Sequence, residues 1–145
     1  MPRTDLAQER PEQVSFTRGY NEPRSHQIMA GADIFIMPSR FEPCGLNQMY
    51  GLRYGTPPVV SPTGGLADSV RDSTPENIDD GSGTGFVMPA ISANALMESI
   101  RRAVDCYRRP QVWRKIQHNG MRSELGWEHS ARAYLDLYNS LVRSH

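Results

Sequence analysis

Two short turns hold the residue types best suited to chemistry: Arg40-Phe41-Glu42-Pro43-Cys44-Gly45-Leu46 and Thr63-Gly64-Gly65. A carboxylate such as Glu42 is a pure hydrogen-bond acceptor, and near a helix N-terminus its charge is favoured by the helix dipole. Glu42 is therefore either a simple stabilising carboxylate or an acceptor for ligand hydroxyls, which sugars present in fixed arrays. Gly45 lets main-chain N–H groups reach a ligand. Gly64 and Gly65 offer the same close approach, and the free N–H groups of a first helical turn favour an anion such as phosphate. A plain tight turn is the other reading of that glycine pair. A carboxylate next to phosphate-cradling glycines points to a nucleotide-sugar.

Other reactive types divide between chemical and structural readings. Tyr20 either stacks on a base or is a half-buried structural ring. Arg40 pairs with Glu42 or with phosphate, the ion pair being the expectation. Cys44 is a reactive thiol only if a helix N-terminus lowers its pKa, and a buried, inert thiol is expected. His26 reads as a surface or capping residue, and His118 and His129 as solvated. Trp113, Trp127, Tyr134 and Tyr138 fit packing among the terminal helices. There is no GxSxG, no GxGxxG and no Walker lysine loop, which argues against a serine hydrolase elbow, a standard dinucleotide site and a P-loop. No DxD-like acidic pair stands at a strand end, since Asp79-Asp80 lies in a polar loop, so no metal is expected.

These turns need a scaffold that brings them to one edge. Val14-Ser15-Phe16-Thr17 alternates and reads as a short strand. Asp33 to Met37 is a continuous apolar run bounded by Pro38, as in a strand covered on both faces. Pro57 to Val60 is the next strand, with proline at its end, and Gly85 to Met88 is the last. Between them, Arg24–Ala30 reads as a helix capped by Asn21 or Ser25, Asn47–Tyr54 as a helix stopped by Gly55, and Leu66–Asp72 as a short helix. Ser73 to Gly83 reads as a polar loop. Three helices close the chain: Ala93–Arg108 with Ser92 as cap, one opening at Pro110, and Glu128–Val142. The alternation predicts an α/β fold, a partial Rossmann-like domain of about four parallel strands flanked by helices and followed by a helical cluster. In such sheets ligands bind at the carboxyl ends of the strands, where both turns belong. Residues 1–13 are a polar segment, the end of a truncated helix, and 14–145 a partial nucleotide-sugar-binding domain.

The bulk properties limit the alternatives. With 145 residues, 16 basic and 16 acidic, the chain is long enough for one real core and has no charge excess that would draw nucleic acid or an anionic membrane. The two cysteines, Cys44 and Cys106, form neither a disulfide framework nor a metal-ligand spacing, so a reducing, cytoplasmic setting is expected. The first residues lack an apolar core for a signal peptide, and no run approaches the length of a membrane span.

Around these turns the chain resembles the bacterial glycogen synthases and plant starch synthases, the family-5 glycosyltransferases. The likeness runs through GYNEPRSH (19–26), AGADIFIMPSRFEPCGLNQMYGLRYGTPPVV (30–60), TGGLADSVRD (63–72), GTGFVM (83–88), Trp113, NGM (119–121), Trp127 and SARAYLDLY (130–138). The resemblance implies a GT-B fold, in which two Rossmann-like domains face each other across a cleft and the second binds the donor. It implies that this chain is the latter part of that second domain, lacking the N-terminal half of the enzyme and the Arg and Lys that family members place on the donor diphosphate.

By the same resemblance, Glu42 is similar to the carboxylate facing the donor glucose, and Cys44, Gly45 and Leu46 to the turn that contacts its hydroxyls. Tyr20 is similar to the adenine-side aromatic, and Thr63, Gly64 and Gly65 to the family's second glycine motif. Asn47 stands where many bacterial members have a Thr near the phosphate. Gly126 stands where Ser often caps the last helix, a change costing a few tenths of a kcal/mol. The implied reaction is retaining transfer of glucose from ADP-glucose to the non-reducing end of an α-1,4-glucan (glycogen or starch), with no cofactor, in the cytoplasm or, in a plant or alga, the plastid. The isolated chain is expected to be inactive. The alternatives are a non-catalytic nucleotide- or glucan-binding remnant that acts as an interaction module, and a related retaining enzyme using another nucleotide-sugar such as UDP-glucose.

Overall fold

A computed structural model describes residues 3–143. Its elements run α1 (Arg3–Glu9), α2 (Glu22–Gly31), β1 (Phe35–Met37), α3 (Asn47–Tyr54), β2 (Pro58–Val60), α4 (Gly64–Ser69), α5 (Pro75–Asp79), β3 (Phe86–Val87), α6 (Ala93–Tyr107), α7 (Pro110–Met121) and α8 (Trp127–Arg143). The fold is α/β as expected. Three parallel strands lie in the order β1-β2-β3, with Met37 opposite Val60 and Val60 opposite Val87.

The strands are short and apolar, and side chains alternate across each; β2 is buried throughout, whereas Ile36 of β1 is 44% exposed, so the expected cover on both faces is not met at that edge strand. Val59 and Phe86 join one core with Ala103, Trp113 and Ile116 of α6 and α7. Their neighbours Val60 and Val87 turn the other way, toward Leu52 of α3 and Leu66 of α4. Phe86 stacks on Trp113 at 6.3 Å between centroids, and Tyr107 meets Trp113 edge-on at 5.4 Å. Beyond α4, Asp72 forms an isolated parallel bridge with Gly85 and ties the layers together. One carboxylate oxygen accepts from the Val87 N–H at 2.8 Å, and the other pairs with Arg102 at 2.8 Å.

Helix ends follow local chemistry. Asn21 accepts from the Arg24 N–H and caps α2, and Ser92 accepts from the Ala95 N–H and caps α6. Gly55, at φ 75°, ends α3 with its N–H on the carbonyls of Gly51 and Leu52. Thr56 is 1% exposed, and its hydroxyl donates to the Met29 carbonyl at 2.8 Å, which fastens α2 to the entry of β2.

The structure corrects several expectations. Val14–Thr17 is not a strand: an isolated extended segment has no ladder to join, and the β1 edge remains unpaired with it. The helix expected at Leu66–Asp72 begins at Gly64 and ends at Ser69, so the glycines are its first residues rather than a turn before it. The polar loop Ser73–Gly83 contains α5, started by Pro75 and capped by Thr74 through the Asn77 N–H. Trp113 packs as expected, but Trp127, Tyr134 and Tyr138 do not: Trp127 is 81% exposed, and the two tyrosines contact each other on an exposed face of α8. Among the described residues, no helix is long and apolar enough to cross a membrane.

Candidate functional site

Both chemical turns leave the sheet on the same side. β1 and β2 are parallel and in register, so the segments after Met37 and after Val60 emerge together at the carboxyl edge. The first segment runs into α3 and the second into α4. They are then joined: the Gly65 N–H donates to the carbonyl of Glu42 at 3.2 Å. Side chains are excluded from this seam. A Cβ on Gly64 would run into the Glu42 carbonyl, and one on Gly65 into the backbone of Cys44. Close backbone packing is thus one physical reason for the glycine pair.

The hydrogen bonds separate groups already in use from those still free. The Gly65 N–H is taken by Glu42, and the Leu66 and Ala67 N–H groups by the Thr63 carbonyl. Neither Gly45 nor Leu46 donates its N–H to any described acceptor. Neither α3 nor α4 has a side-chain cap, unlike α2, α5 and α6. Glu42 is half-buried, and its carboxylate makes no described hydrogen bond or ion pair. The expected Arg40–Glu42 pair is absent, because the described ion pairs are Arg102–Asp72 and Arg108–Asp105. The half-buried Glu42, whose carboxylate has no described partner, thus shares one turn with two main-chain N–H groups that have no described acceptor, at the N-terminal end of α3. That set can accept from hydroxyls and donate to an oxyanion.

The remaining predicted residues are placed as follows. Cys44 is exposed, correcting the buried thiol; its Sγ lies 3.6 Å from the Gly45 carbonyl oxygen. Leu46 is exposed at the N-terminus of α3, and Asn47 is its exposed first residue. Thr63 is half-buried, and its hydroxyl has no described partner. Tyr20 is 90% exposed, and no described hydrogen bond or ring contact joins it to the Glu42 turn. His26, expected at the surface or as a cap, is half-buried, and Asn21 is the cap of α2. His26 lies against Tyr50 and Tyr54, with Nδ1 3.2 Å from the Tyr54 hydroxyl, and so helps hold α2 on α3. His118 is exposed as expected, and the side chain of His129 is outside the described residues. A concavity of about 910 Å³ between α3 and the start of α8 touches this set at Leu46 alone. The Glu42 turn itself lies on an open face.

The comparisons with known proteins bear on this arrangement. A family model described as glycosyl transferases group 1 matches residues 4–119. The chain belongs to the group 1 glycosyl transferases. It is 49% identical to the glycogen synthase of Nitrosomonas eutropha over 138 residues, which cover 95% of this chain and 28% of that protein. Against the glycogen synthase of Hydrogenovibrio crunogenus, the identity is 48% over 139 residues, 96% of this chain and 28% of that protein. The solved catalytic domain of starch synthase IV from Arabidopsis thaliana, bound to ADP and acarbose, matches with a TM-score of 0.81 at 33% identity, covering 94% of this chain and 28% of that one. The chain thus spans 28% of the length of the glycogen synthases it matches.

In this group 1 glycosyl transferase, one residue of the site region is missed by motif reading. Gln48 is 0% exposed, on the inner face of α3 with Gly51 and Leu52. Its Nε2 donates to the carbonyls of Cys44 and Gly45 and to the Ser69 hydroxyl, at 3.0, 2.9 and 3.0 Å. Ser69 in turn donates to the Gly65 carbonyl at 2.5 Å. The signal was present in the sequence: an amide three and four residues after the turn, at the helical spacing of the buried Leu52.

Proposed function

We propose that this chain carries the donor-site part of a retaining glucosyltransferase. In this reading it transfers glucose from ADP-glucose to the non-reducing end of an α-1,4-glucan. The observation that carries the reading is one turn that holds the half-buried Glu42, its carboxylate without a described partner, and the Gly45 and Leu46 N–H groups without a described acceptor. About half-identity to bacterial glycogen synthases supports the glucan product, and the starch synthase solved with ADP supports the adenine nucleotide.

Glu42 accepts from the glucose hydroxyls, with the Cys44-Gly45-Leu46 main chain on the same sugar. Asn47, Thr63, Gly64 and Gly65 line the phosphate side, and Tyr20 the adenine side. The bond from glucose C1 to the diphosphate breaks while the acceptor hydroxyl oxygen attaches on the same face, and the acceptor's proton leaves with the departing diphosphate. Positive charge grows on the sugar and negative charge on the leaving phosphate. Glu42 offsets the first, and the N-terminus of α3 offsets the second. Such electrostatic work needs a dry cleft, and the open face of this turn supports an inactive isolated chain. Residues 14–145 act as the partial donor domain, in a cytoplasmic enzyme whose remaining length supplies the facing wall.

The test is a chimera in which this chain replaces the matching 138 residues of the Nitrosomonas eutropha synthase. The chimera should incorporate glucose from ADP-glucose into glycogen, and residues 1–145 alone should not. A folded but inert chimera, or robust turnover by 1–145, overturns the reading.

A second reading, a non-catalytic interaction module, is favoured by the exposed apolar face of α8, with Trp127, Leu135 and Leu141 in solvent. It predicts no binding of ADP or ADP-glucose at millimolar concentration.

A further inference from the structure

We propose that Gln48 is a positioning residue for the donor sugar, an inference that rests on the donor-site reading above. A carboxamide carries two N–H donors. Gln48 spends them on three acceptors, the carbonyls of Cys44 and Gly45 and the hydroxyl of Ser69. One hydrogen is shared by the two carbonyls, and the other goes to Ser69. Because Ser69 Oγ accepts that hydrogen, its own hydrogen is free to reach the Gly65 carbonyl. One part-buried chain of bonds thus runs from the Glu42–Leu46 turn, through Gln48 and Ser69, to the glycine pair.

The consequence for the site follows from peptide planarity. In a trans peptide, C=O and N–H point in opposite directions. The Cys44 carbonyl shares its peptide plane with the Gly45 N–H, and the Gly45 carbonyl shares its plane with the Leu46 N–H. Gln48 draws both carbonyls inward, so both N–H groups face away from it. These are the two donors without a described acceptor. Gly45 sits at φ 75°, and a Cβ there would lie 2.5 Å from Gln48 Oε1. Glycine is thus needed both for the backbone angle and for the room the amide occupies. Gln48 Oε1 itself is buried without a partner. The amide is therefore held by its donor end alone, a cost tolerated where it presets two ligand-facing N–H groups.

Gln48 contacts no ligand in this scheme. It sets the angle of the groups that do, so it should control discrimination for the sugar rather than for the nucleotide. Residues 1–145 are titrated with ADP-glucose and with ADP by calorimetry, for the wild type, Glu42→Ala, Gln48→Met and Ser69→Ala. Circular dichroism confirms helix content and a thermal midpoint above the assay temperature.

Gln48→Met, which keeps the shape and loses the donors, should lower the preference for ADP-glucose over ADP by about tenfold and leave ADP binding within about twofold. Ser69→Ala, the milder change, should move the preference in the same direction by less. If Glu42→Ala abolishes the preference while folded Gln48→Met and Ser69→Ala retain it, the positioning role is overturned and the donor site stands. If the wild type shows no preference, or Glu42→Ala leaves it intact, the donor-site reading fails and this inference fails with it.

Discussion

The Gly65 N–H donates to the Glu42 carbonyl at 3.2 Å, which makes the carboxylate-bearing turn and the glycine-led helix α4 one surface. Any side chain on Gly65 would strike the Cys44 backbone, which cannot move without breaking the Gln48 bonds. Gly65→Ala should therefore lower stability by about 2–4 kcal/mol, by overpacking against main chain. Gly31→Ala is the control, since no atom lies within 4 Å of its added Cβ. Thermal unfolding followed by circular dichroism should show a clear drop in midpoint for the first and little change for the second.

Thr56 tests the link between α2 and the sheet. Its hydroxyl donates to the Met29 carbonyl at 2.8 Å and lies 3.2 Å from the Ala32 carbonyl. Thr56→Val keeps the volume and removes the donor to two part-buried carbonyls, one of which keeps the Ala32 N–H, so it should cost about 1 kcal/mol. The urea midpoint reads this, and an unchanged midpoint would show that the hydroxyl is dispensable.

Asp72 holds a backbone N–H and a guanidinium, whereas Arg102 holds the carboxylate and the face of the Phe86 ring, so their deletions should differ. Asp72→Ala strands the Val87 N–H and leaves Arg102 unpaired; a loss of about 2 kcal/mol is expected. Arg102→Ala removes a partly exposed ion pair and a guanidinium lying 5.8 Å from the Phe86 ring centroid, and its loss should be about 1 kcal/mol. Equal losses in urea unfolding would contradict this division.

The α5 segment should respond to acid. The Glu76 carboxyl is held below its ordinary pKa by its own backbone N–H and then by the Thr74 hydroxyl. Asp80 is held low by the Ser82 hydroxyl and then by the Ser82 N–H. A lowered folded pKa means that each contribution is present above the unfolded value and is lost as pH falls through the folded one. Both groups are fully solvent-exposed, so the effect is local. Amide exchange at Glu76 and Ser82 should quicken, relative to the core, as pH drops below the ordinary carboxylate range. Glu76→Gln with Asp80→Asn should flatten that dependence.

The sequence made much of the frame legible because its signals were local. The apolar runs before Pro38 and Ser61 became β1 and β2, and Gly55, Asn21 and Ser92 ended or began their helices as their chemistry requires. What stayed hidden depends on partners. Val14–Thr17 has the alternation of a strand but no strand beside it. The period of α8 marks its apolar face, yet period alone does not say what covers that face. The glycine pair was read for ligand approach, and its contact with the Glu42 turn required knowing that two segments after different strands meet. In the sequence, Gln48 looks like any polar helix residue, because only its partners in the fold mark it as a buried amide.

The central claim is that Glu42 accepts from the donor's sugar. Calorimetric titration of 1–145 and its Glu42→Ala variant with ADP-glucose and with ADP tests it most directly. The account predicts that the wild type binds ADP-glucose more tightly than ADP, and that Glu42→Ala loses this surplus while keeping its affinity for ADP. A folded Glu42→Ala variant that binds ADP-glucose as tightly as the wild type would contradict it.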